Sequence, residues 1–108
     1  MNITELFKKY DFHDSYIEYF EYDLFNRTVK CCFVLCDHNP ISKCEIDFIN
    51  VGMFYIKADN AVFAENELKS STVSSADGEY FKCFLDEGFG KPGKVIEIEC
   101  EYIRYSLI

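Results

Sequence analysis

The segment near the end of the chain, Lys94–Tyr105, restricts the fold more than any other. Apolar and acidic side chains alternate within it: Ile96, Ile98, Cys100 and Tyr102 are interleaved with Glu97, Glu99 and Glu101. Side chains of an extended strand point to opposite faces in turn, with a period of two residues. The segment is therefore predicted to be a half-buried antiparallel strand, with one face on a core and the carboxylates facing water.

Weaker alternation predicts further strands earlier in the chain. These are Tyr16–Asp23 and Thr28–Cys36, joined as a hairpin around Leu24–Arg27, and then Lys43–Asn50, Met53–Ala58 and Tyr80–Asp86. Gly52 predicts a bulge or break, because glycine inside a strand pattern is typical of such sites. Tyr80–Asp86 and Lys94–Tyr105 are expected to form a second hairpin. The Ser-rich segment "KSSTVSSADGE" at residues 69–79 is predicted to be an exposed, mobile loop, and residues 59–68 show a weak pattern for a turn of helix.

A short helix is predicted at the start, over Asn2–Tyr10. Ile3, Leu6, Phe7 and Tyr10 share one helical face, and Asn2 followed by Glu5 has the spacing of a capping box. So short a helix is unstable alone in water and must dock through its apolar face. The predicted fold class is α+β. A single domain over residues 1–108 has this helix packed on a mostly antiparallel sheet of about six strands, curved or folded into a partial sandwich.

The charge balance narrows the class of partner. The chain has 19 acidic and 11 basic residues, a formal net charge of −8. Such an excess repels phosphate backbones and anionic lipid headgroups, which disfavours nucleic acid and membrane surfaces. It suits a basic protein, although an acidic surface also serves solubility. The amino-terminal stretch lacks the apolar run of a signal peptide, so we expect a cytoplasmic protein with reduced cysteines.

Three apparent motifs for chemistry are weak. Residues 88–93 match G-x-G-x-x-G, but a strand rather than a helix follows, so no helix N-terminus is present to receive a phosphate. Cys31 and Cys32 point to opposite faces of a strand, and a zinc site would need Cys36, His38 and Cys44 to converge through a loop. No cofactor or metal is expected. The only histidines are His13 and His38, and neither lies in a recognisable catalytic motif. We therefore expect no catalytic residues and a protein that is not an enzyme.

Carboxylates form the main candidate site, as contacts for a basic partner. They are Glu97, Glu99 and Glu101 on the last strand and Glu45 and Asp47 on the water-facing side of Lys43–Asn50. If both strands belong to one sheet, the five carboxylates share a surface, and Lys82 is placed to interleave with them. Such a surface would mainly increase the rate of association and make it salt-sensitive. The alternative is an ordinary solvated face.

His13, Asp14 and Ser15 form the second candidate group, interpreted as a structural corner between the helix and the first strand. Asp and Ser are typical of turns because their side chains hydrogen-bond nearby backbone amides. The corner and the hairpin after it, "FHDSYIEYFEYD" and "TVKCCFVLCD", resemble small bacterial domains that open with a His-Asp-Ser corner. Several of these are uncharacterised, and some resemble immunity proteins of polymorphic toxin systems, particularly the immunity protein 50 type. The closing "GKVIEIECEYIRY" is similar to the last strand of that group, and together these segments cover about half of the chain.

The resemblance implies a β-rich domain with a binding role and no known catalysis. The leading hypothesis is therefore a cytoplasmic, non-enzymatic binding protein, an immunity protein that neutralises a basic toxin through its acidic sheet face. The alternatives are a structural domain that forms homo-oligomers and, less favoured, a metal-dependent enzyme that uses His13 or His38.

Overall fold

A computed structural model gives the architecture of the chain and describes residues 1–12, 15–35, 41–58, 69–85 and 94–108. One helix and six strands lie in these ranges: α1 (Ile3–Lys9), β1 (Tyr16–Asp23), β2 (Thr28–Val34), β3 (Lys43–Ala58), β4 (Lys69–Ser75), β5 (Gly78–Leu85) and β6 (Lys94–Leu107). The helical turn expected at 59–68 and the glycine-rich segment 88–93 lie outside the described residues.

All six strands belong to one open sheet, in the order β1-β2-β3-β6-β5-β4, and every neighbouring pair is antiparallel. The α+β class, the antiparallel sheet and the strand number are confirmed for the part of the chain that the structure describes. A second sheet, as a partial sandwich would require, is not present among these strands. The last strand, β6, is central, with hydrogen-bonded neighbours on both sides.

The single sheet is strongly curved. The ring centroids of Phe33 on β2 and Phe81 on β5 are 5.9 Å apart, although β3 and β6 lie between those strands. In a flat sheet, three interstrand spacings of about 4.8 Å would keep the two strands about 14 Å apart. The sheet therefore has a concave face, which holds the core, and a convex face. The fully buried core side chains include Val29, Cys31, Phe33, Cys44, Ile46, Phe48, Phe81, Cys83 and Ile98.

The helix packs on the concave face, as its apolar stripe predicts. Ile3 and Leu6 are fully buried, and Phe7 stacks on Phe12 with a centroid distance of 4.1 Å. The Asn2 side chain accepts a hydrogen bond of 2.8 Å from the Glu5 amide, which confirms the predicted cap. The carboxylate of Glu79 on β5 accepts a 3.0 Å hydrogen bond from the Ile3 amide and so ties the first turn to the sheet.

Strand β3 runs through the predicted break as one continuous strand. Its register with β6 shifts between Val51 and Met53, so the bulge predicted at Gly52 is confirmed while the division into two strands is wrong. Asn50, just before the bulge, has a φ of 56°. Asparagine tolerates this left-handed conformation better than other non-glycine residues, which makes it suitable at such a position.

The Ser-rich segment is not a loop. Residues 69–75 form β4, which pairs with β5 over seven residues without an irregularity, and Ala76 and Asp77 make a tight turn. Gly78 ends the turn with a φ of 140°, and a Cβ there would lie 2.4 Å from the carbonyl oxygen of Cys100. Only glycine permits both that backbone conformation and that close approach.

The alternation in β6 also changes phase, contrary to the prediction. Ile96, Ile98 and Cys100 face the core as expected, but Tyr102 is 44% exposed and Ile103 and Tyr105 pack against the core instead. The change occurs between Cys100 and Ile103. This segment lies beside the bulge of β3 and includes the level of Asn50, whose positive φ departs from the extended backbone of a regular strand. The inward assignment of Tyr102 is therefore wrong.

Candidate functional site

Glu97 lies on the convex face of β6 and is already engaged by its neighbours on β5. Its carboxylate accepts a 2.9 Å hydrogen bond from the Tyr80 hydroxyl and lies 3.3 Å from the Lys82 ammonium. The Tyr80 hydrogen bond, followed by Lys82, holds the pKa of Glu97 below its ordinary value. The predicted interleaving of Lys82 is confirmed. Glu99, one pleat further along, is exposed and lies opposite Met53 and Tyr80.

Glu101 is set apart from the other two glutamates of β6. It lies at the phase change, and its carboxylate accepts a 2.8 Å hydrogen bond from the side-chain amide of Asn50 on β3. Asn50 is the residue with positive φ beside the bulge. Glu101 is thus exposed to solvent but has a local hydrogen-bond contact.

Glu45 and Asp47 lie on the convex face of β3, among cations. The Lys30 ammonium is 3.7 Å from Glu45, which also accepts a hydrogen bond from the Tyr19 hydroxyl. Asp47 lies opposite Lys30 on β2 and Arg104 on β6. Its Oδ1 atom is buried and has no hydrogen-bond partner among the described residues. Both carboxylates are only partly exposed, which leaves less of each for an incoming partner.

The five carboxylates belong to one sheet but do not form one cluster. Glu45 lies opposite Ser106, whereas Glu97 lies opposite Tyr55, ten residues further along β3. At about 3.3 Å per residue, Glu45 and Glu97 are about 33 Å apart along the strand, and Glu101, at the level of Asn50, lies between them. No two of these carboxylates are directly paired in the register, and lysine or arginine lies opposite Asp47 and Glu97. The convex face is therefore one of mixed charge.

A neighbouring network on β1 was not predicted from the sequence. The Glu18 carboxylate forms an ion pair with Lys43 of β3, with Nζ–Oε distances of 2.9 and 3.2 Å. The Cys32 thiol lies 3.7 Å from the same carboxylate. The Lys43 hydrogen bond lowers the pKa of Glu18. Cys32 faces this network while Cys31 lies in the core, so the prediction that the two cysteines face opposite sides is confirmed.

Only one residue of the predicted corner is described. Ser15 is buried, its hydroxyl donates a 2.6 Å hydrogen bond to the carbonyl of Phe12, and its amide donates to the same oxygen at 3.2 Å. Ser15 therefore contributes to the corner as a donor to a carbonyl. His13 and Asp14 lie outside the described residues, and their structural role stays a prediction.

The turn between β1 and β2 carries the most exposed aromatic side chain of the described residues. Phe25 is 95% exposed and Leu24 is 67% exposed. We call Leu24 and Phe25 the apolar tip. The sequence contained the signal, two large apolar residues in a predicted turn, but it did not indicate whether the turn would pack against the sheet or extend into solvent.

The turn that presents the apolar tip is held by local hydrogen bonds. The Asp23 carboxylate accepts from the amides of Phe25 and Asn26, both at 3.1 Å, and from the Asn26 side chain at 2.7 Å. These bonds, led by those from Asn26, lower the pKa of Asp23. Arg27 has a φ of 51°, and its carbonyl accepts a 2.8 Å bond from the Val51 amide, which fixes the base of the turn to β3.

A surface cavity of about 750 Å³ lies beside the apolar tip. Its lining combines the turn with charged groups from three strands, among them Glu21 of β1, Lys30 of β2 and Arg104 of β6. Lys30 and Arg104 are the two cations of the lining, and Glu21 and Asp23 belong to the strand that leads into the turn. An apolar projection thus stands next to a concavity with both signs of charge.

The cysteines of the described residues are free thiols: Cys31, Cys32, Cys44, Cys83 and Cys100. Burial raises the pKa of Cys44, Cys83 and Cys100 to about 12 each. In the ranges that the structure describes, no three His, Cys, Asp or Glu side chains are grouped to hold a metal ion. The zinc hypothesis also involves Cys36 and His38, which lie outside those ranges, as does the other histidine, His13.

Comparisons with known proteins give no guide to the function. The chain matches no protein-family model, and searches of curated proteins and of solved structures find no match either. Among the described residues, no helix has the length and apolar character needed to cross a membrane.

Proposed function

We propose that the protein is a non-enzymatic binding protein whose principal contact with its partner is the apolar tip, Leu24 and Phe25. The observation that carries this proposal is the 95% exposure of Phe25 on a turn that is fixed by hydrogen bonds. A fully buried Phe side chain gains about 1.5–3 kcal/mol relative to an exposed one. Here that gain remains available for binding, because the domain itself does not use it.

The rigidity of the turn supports a recognition role. A loop that is ordered before binding loses less conformational entropy in the complex, so more of the contact energy appears as affinity. Binding energy at protein interfaces is concentrated in a few anchors, often aromatic, that enter pockets on the partner. Asp23 provides this order by accepting three hydrogen bonds from Phe25 and Asn26.

The acidic residues are suited to a secondary role, which is to increase the rate of association with a basic partner. The net charge of −8 attracts a basic partner at long range. Glu97 and Glu99, on the convex face, and Glu101 beside Asn50 would then contribute to steering, as would Glu45 and Asp47. Residues of this kind change the association rate and its salt dependence more than they change the affinity.

The resemblance noted above gives this role a specific form: a cytoplasmic immunity protein that neutralises a toxin. In that form, the apolar tip would anchor the domain in a pocket of the toxin, and the bound domain would block the toxin's own site. A basic toxin is the partner that the charge of the chain favours.

Affinity capture from the source organism tests the proposal, with Phe25→Ala as the key variant. The matched control is Tyr16→Ala, which also removes an exposed aromatic side chain but lies at the end of β1 away from the turn. We expect one basic protein to bind the wild type and the control, and to bind Phe25→Ala at least 30-fold more weakly, equivalent to about 2 kcal/mol. Capture of nothing, or equal capture by Phe25→Ala, would contradict the proposal.

Two further measurements separate immunity from binding alone. The captured protein is expressed in a bacterial host with or without the domain. Growth arrest that the wild type relieves and Phe25→Ala does not relieve would support an immunity role. Glu97→Lys with Glu99→Lys is expected to slow association at low salt and to have little effect at high salt, because exposed charges are then screened.

A further inference from the structure

Among the described strands, β1 and β4 form the two edges of the sheet, and they differ in their protection against pairing with another chain. The register of β1 is irregular between Ile17 and Tyr19, and the strand carries Glu18, Glu21 and Asp23. Bulges and charges are the usual means by which edge strands avoid pairing with further strands. β1 is therefore a protected edge.

β4 is less protected than β1. It begins with Lys69, and α1 contacts it through a 3.0 Å hydrogen bond from the Thr4 hydroxyl to the Ser74 hydroxyl, but its register has no irregularity. From Ser70 to Ser75 it contains only serine, threonine and valine, and it pairs with β5 without an irregularity over seven residues. Among the strands that the structure describes, β5 is its sole neighbour. In an antiparallel strand, alternate residues direct their backbone N–H and C=O groups to each side. The outer side of β4 thus presents a regular row of donors and acceptors.

We propose that β4 pairs antiparallel with β4 of a second copy of the chain, around a two-fold axis at Thr72. Directly opposed residues of an antiparallel pair have their side chains on the same face of the sheet. In a symmetric pair of identical strands, the two-fold axis must therefore pass through the level of a residue and not between two residues. Centring on Thr72 places Ser71 opposite Val73 of the partner subunit and Ser70 opposite Ser74 of the partner subunit. Small side chains allow this close approach without a clash.

A second copy is the occupant that the charges favour at this edge. Two molecules with a net charge of −8 repel each other over most surfaces. The neutral segment Ser70–Ser75 lets them meet without opposing any like charges, and it offers no charge to select a different partner. Val73, which is 57% exposed, becomes covered by the pairing. Pairing of two short strands buries a small area, so we expect a weak, reversible dimer.

This inference does not depend on the proposed function. The apolar tip lies at the turn after β1, and β1 and β4 are at opposite edges of the sheet. Phe25→Ala is therefore expected to leave the dimer unchanged. The last strand, β6, is paired on both sides and therefore offers no edge to a second copy.

Sedimentation velocity of the purified full chain, from about 10 µM to about 1 mM, tests the dimer. The wild type is expected to shift reversibly from monomer to dimer across this range. Ser71→Glu with Val73→Glu opposes like charges across the two-fold axis and should raise the dissociation constant at least tenfold. Ser71→Glu with Val73→Lys also introduces two charged side chains, but it places a glutamate opposite a lysine across the two-fold axis. This variant should retain the dimer.

Three results would overturn the inference. They are a wild type that stays monomeric over the whole concentration range, an unchanged dimer in Ser71→Glu with Val73→Glu, and equal loss of the dimer in both double variants. Hydrogen exchange of the wild type gives a second readout that needs no substitution. Amides of residues 70–75 should exchange more slowly at about 1 mM than at about 10 µM, whereas those of β1 should not change. Equal exchange of β4 at both concentrations would also refute the pairing.

Discussion

The curvature of the sheet depends on Phe81, and its removal gives the sharpest test of the fold. Phe81 on β5 is fully buried, and its ring centroid lies 5.5 Å from that of Phe48 and 5.9 Å from that of Phe33. It therefore joins three strands across the concave face. Phe81→Ala removes these ring contacts and leaves a cavity, which costs about 3–5 kcal/mol for a buried aromatic side chain. A domain of this size has a total stability of about 5–15 kcal/mol.

Urea unfolding measures this cost. The chain has eight tyrosines and no tryptophan, so tyrosine fluorescence and far-ultraviolet circular dichroism are suitable probes. With a slope near 1.5 kcal/mol/M, the midpoint should fall by about 2–3 M. Phe25→Ala is the matched control, the same substitution at an exposed ring, and should change stability by no more than about 0.5 kcal/mol. A small effect for Phe81→Ala, or equal effects for both variants, would refute the packing described here.

Two further predictions concern the helix contact and the buried thiols. Glu79→Ala should reduce the free energy of unfolding by about 1–3 kcal/mol and speed hydrogen exchange in α1, because Glu79 accepts hydrogen bonds from the Ile3 amide and the Ser74 hydroxyl. Unchanged exchange in α1 would contradict this role. Burial raises the pKa of Cys83 from an ordinary value of 9.0 to about 12, so the folded state holds the thiol proton more tightly. The associated stability should be complete below pH 9 and decline by up to about 4 kcal/mol between pH 9 and pH 12. Unfolding titrations from pH 8 upwards measure this decline. Cys83→Ala should make it smaller by about this amount, while the parts due to the buried thiols of Cys44 and Cys100 remain.

Local patterns were sufficient for the elements at the start of the chain. The bounds of β1, Tyr16–Asp23, agree with the alternation in the sequence, and Asn2 caps the helix as its spacing from Glu5 predicts. Each of these features is determined by residues close together in sequence: a cap, an apolar stripe, a turn between two runs. Such interactions can be recognised from one segment alone.

β4 was missed because its composition resembles that of a loop. Serine dominates the strand, and only Thr72 and Val73 have the branched side chains that favour a pleated surface. The pair Asp77-Gly78 is typical of turns, but the two residues between the strands are Ala76 and Asp77, and Gly78 begins β5. The reason for glycine at position 78 is not local, since the close contact is with the backbone of Cys100 on β6.

The candidate site depended on register, which the pattern of one strand does not contain. The phase change that exposes Tyr102 occurs where β3 has its bulge, so the alternation of β6 alone could not reveal it. The same register separates Glu45 from Glu97 by ten residues along β3 and places cations between acids. An acidic strand face in the sequence thus became a face of mixed charge in the sheet.

Salt concentration distinguishes the two proposed interactions, because they should respond to it with opposite signs. The domain measures 38 × 31 × 22 Å, and the Debye length falls from about 30 Å at 0.01 M salt to about 8 Å at 0.15 M. At low salt, the net charge of −8 therefore acts across the whole molecule, drawing a basic partner closer and holding two copies apart. Raising the salt concentration should slow association with the basic partner and strengthen the β4 dimer. Both effects should level off once the long-range attraction and repulsion are fully screened. If both associations weakened with salt, the neutral edge of β4 could not be the contact between copies.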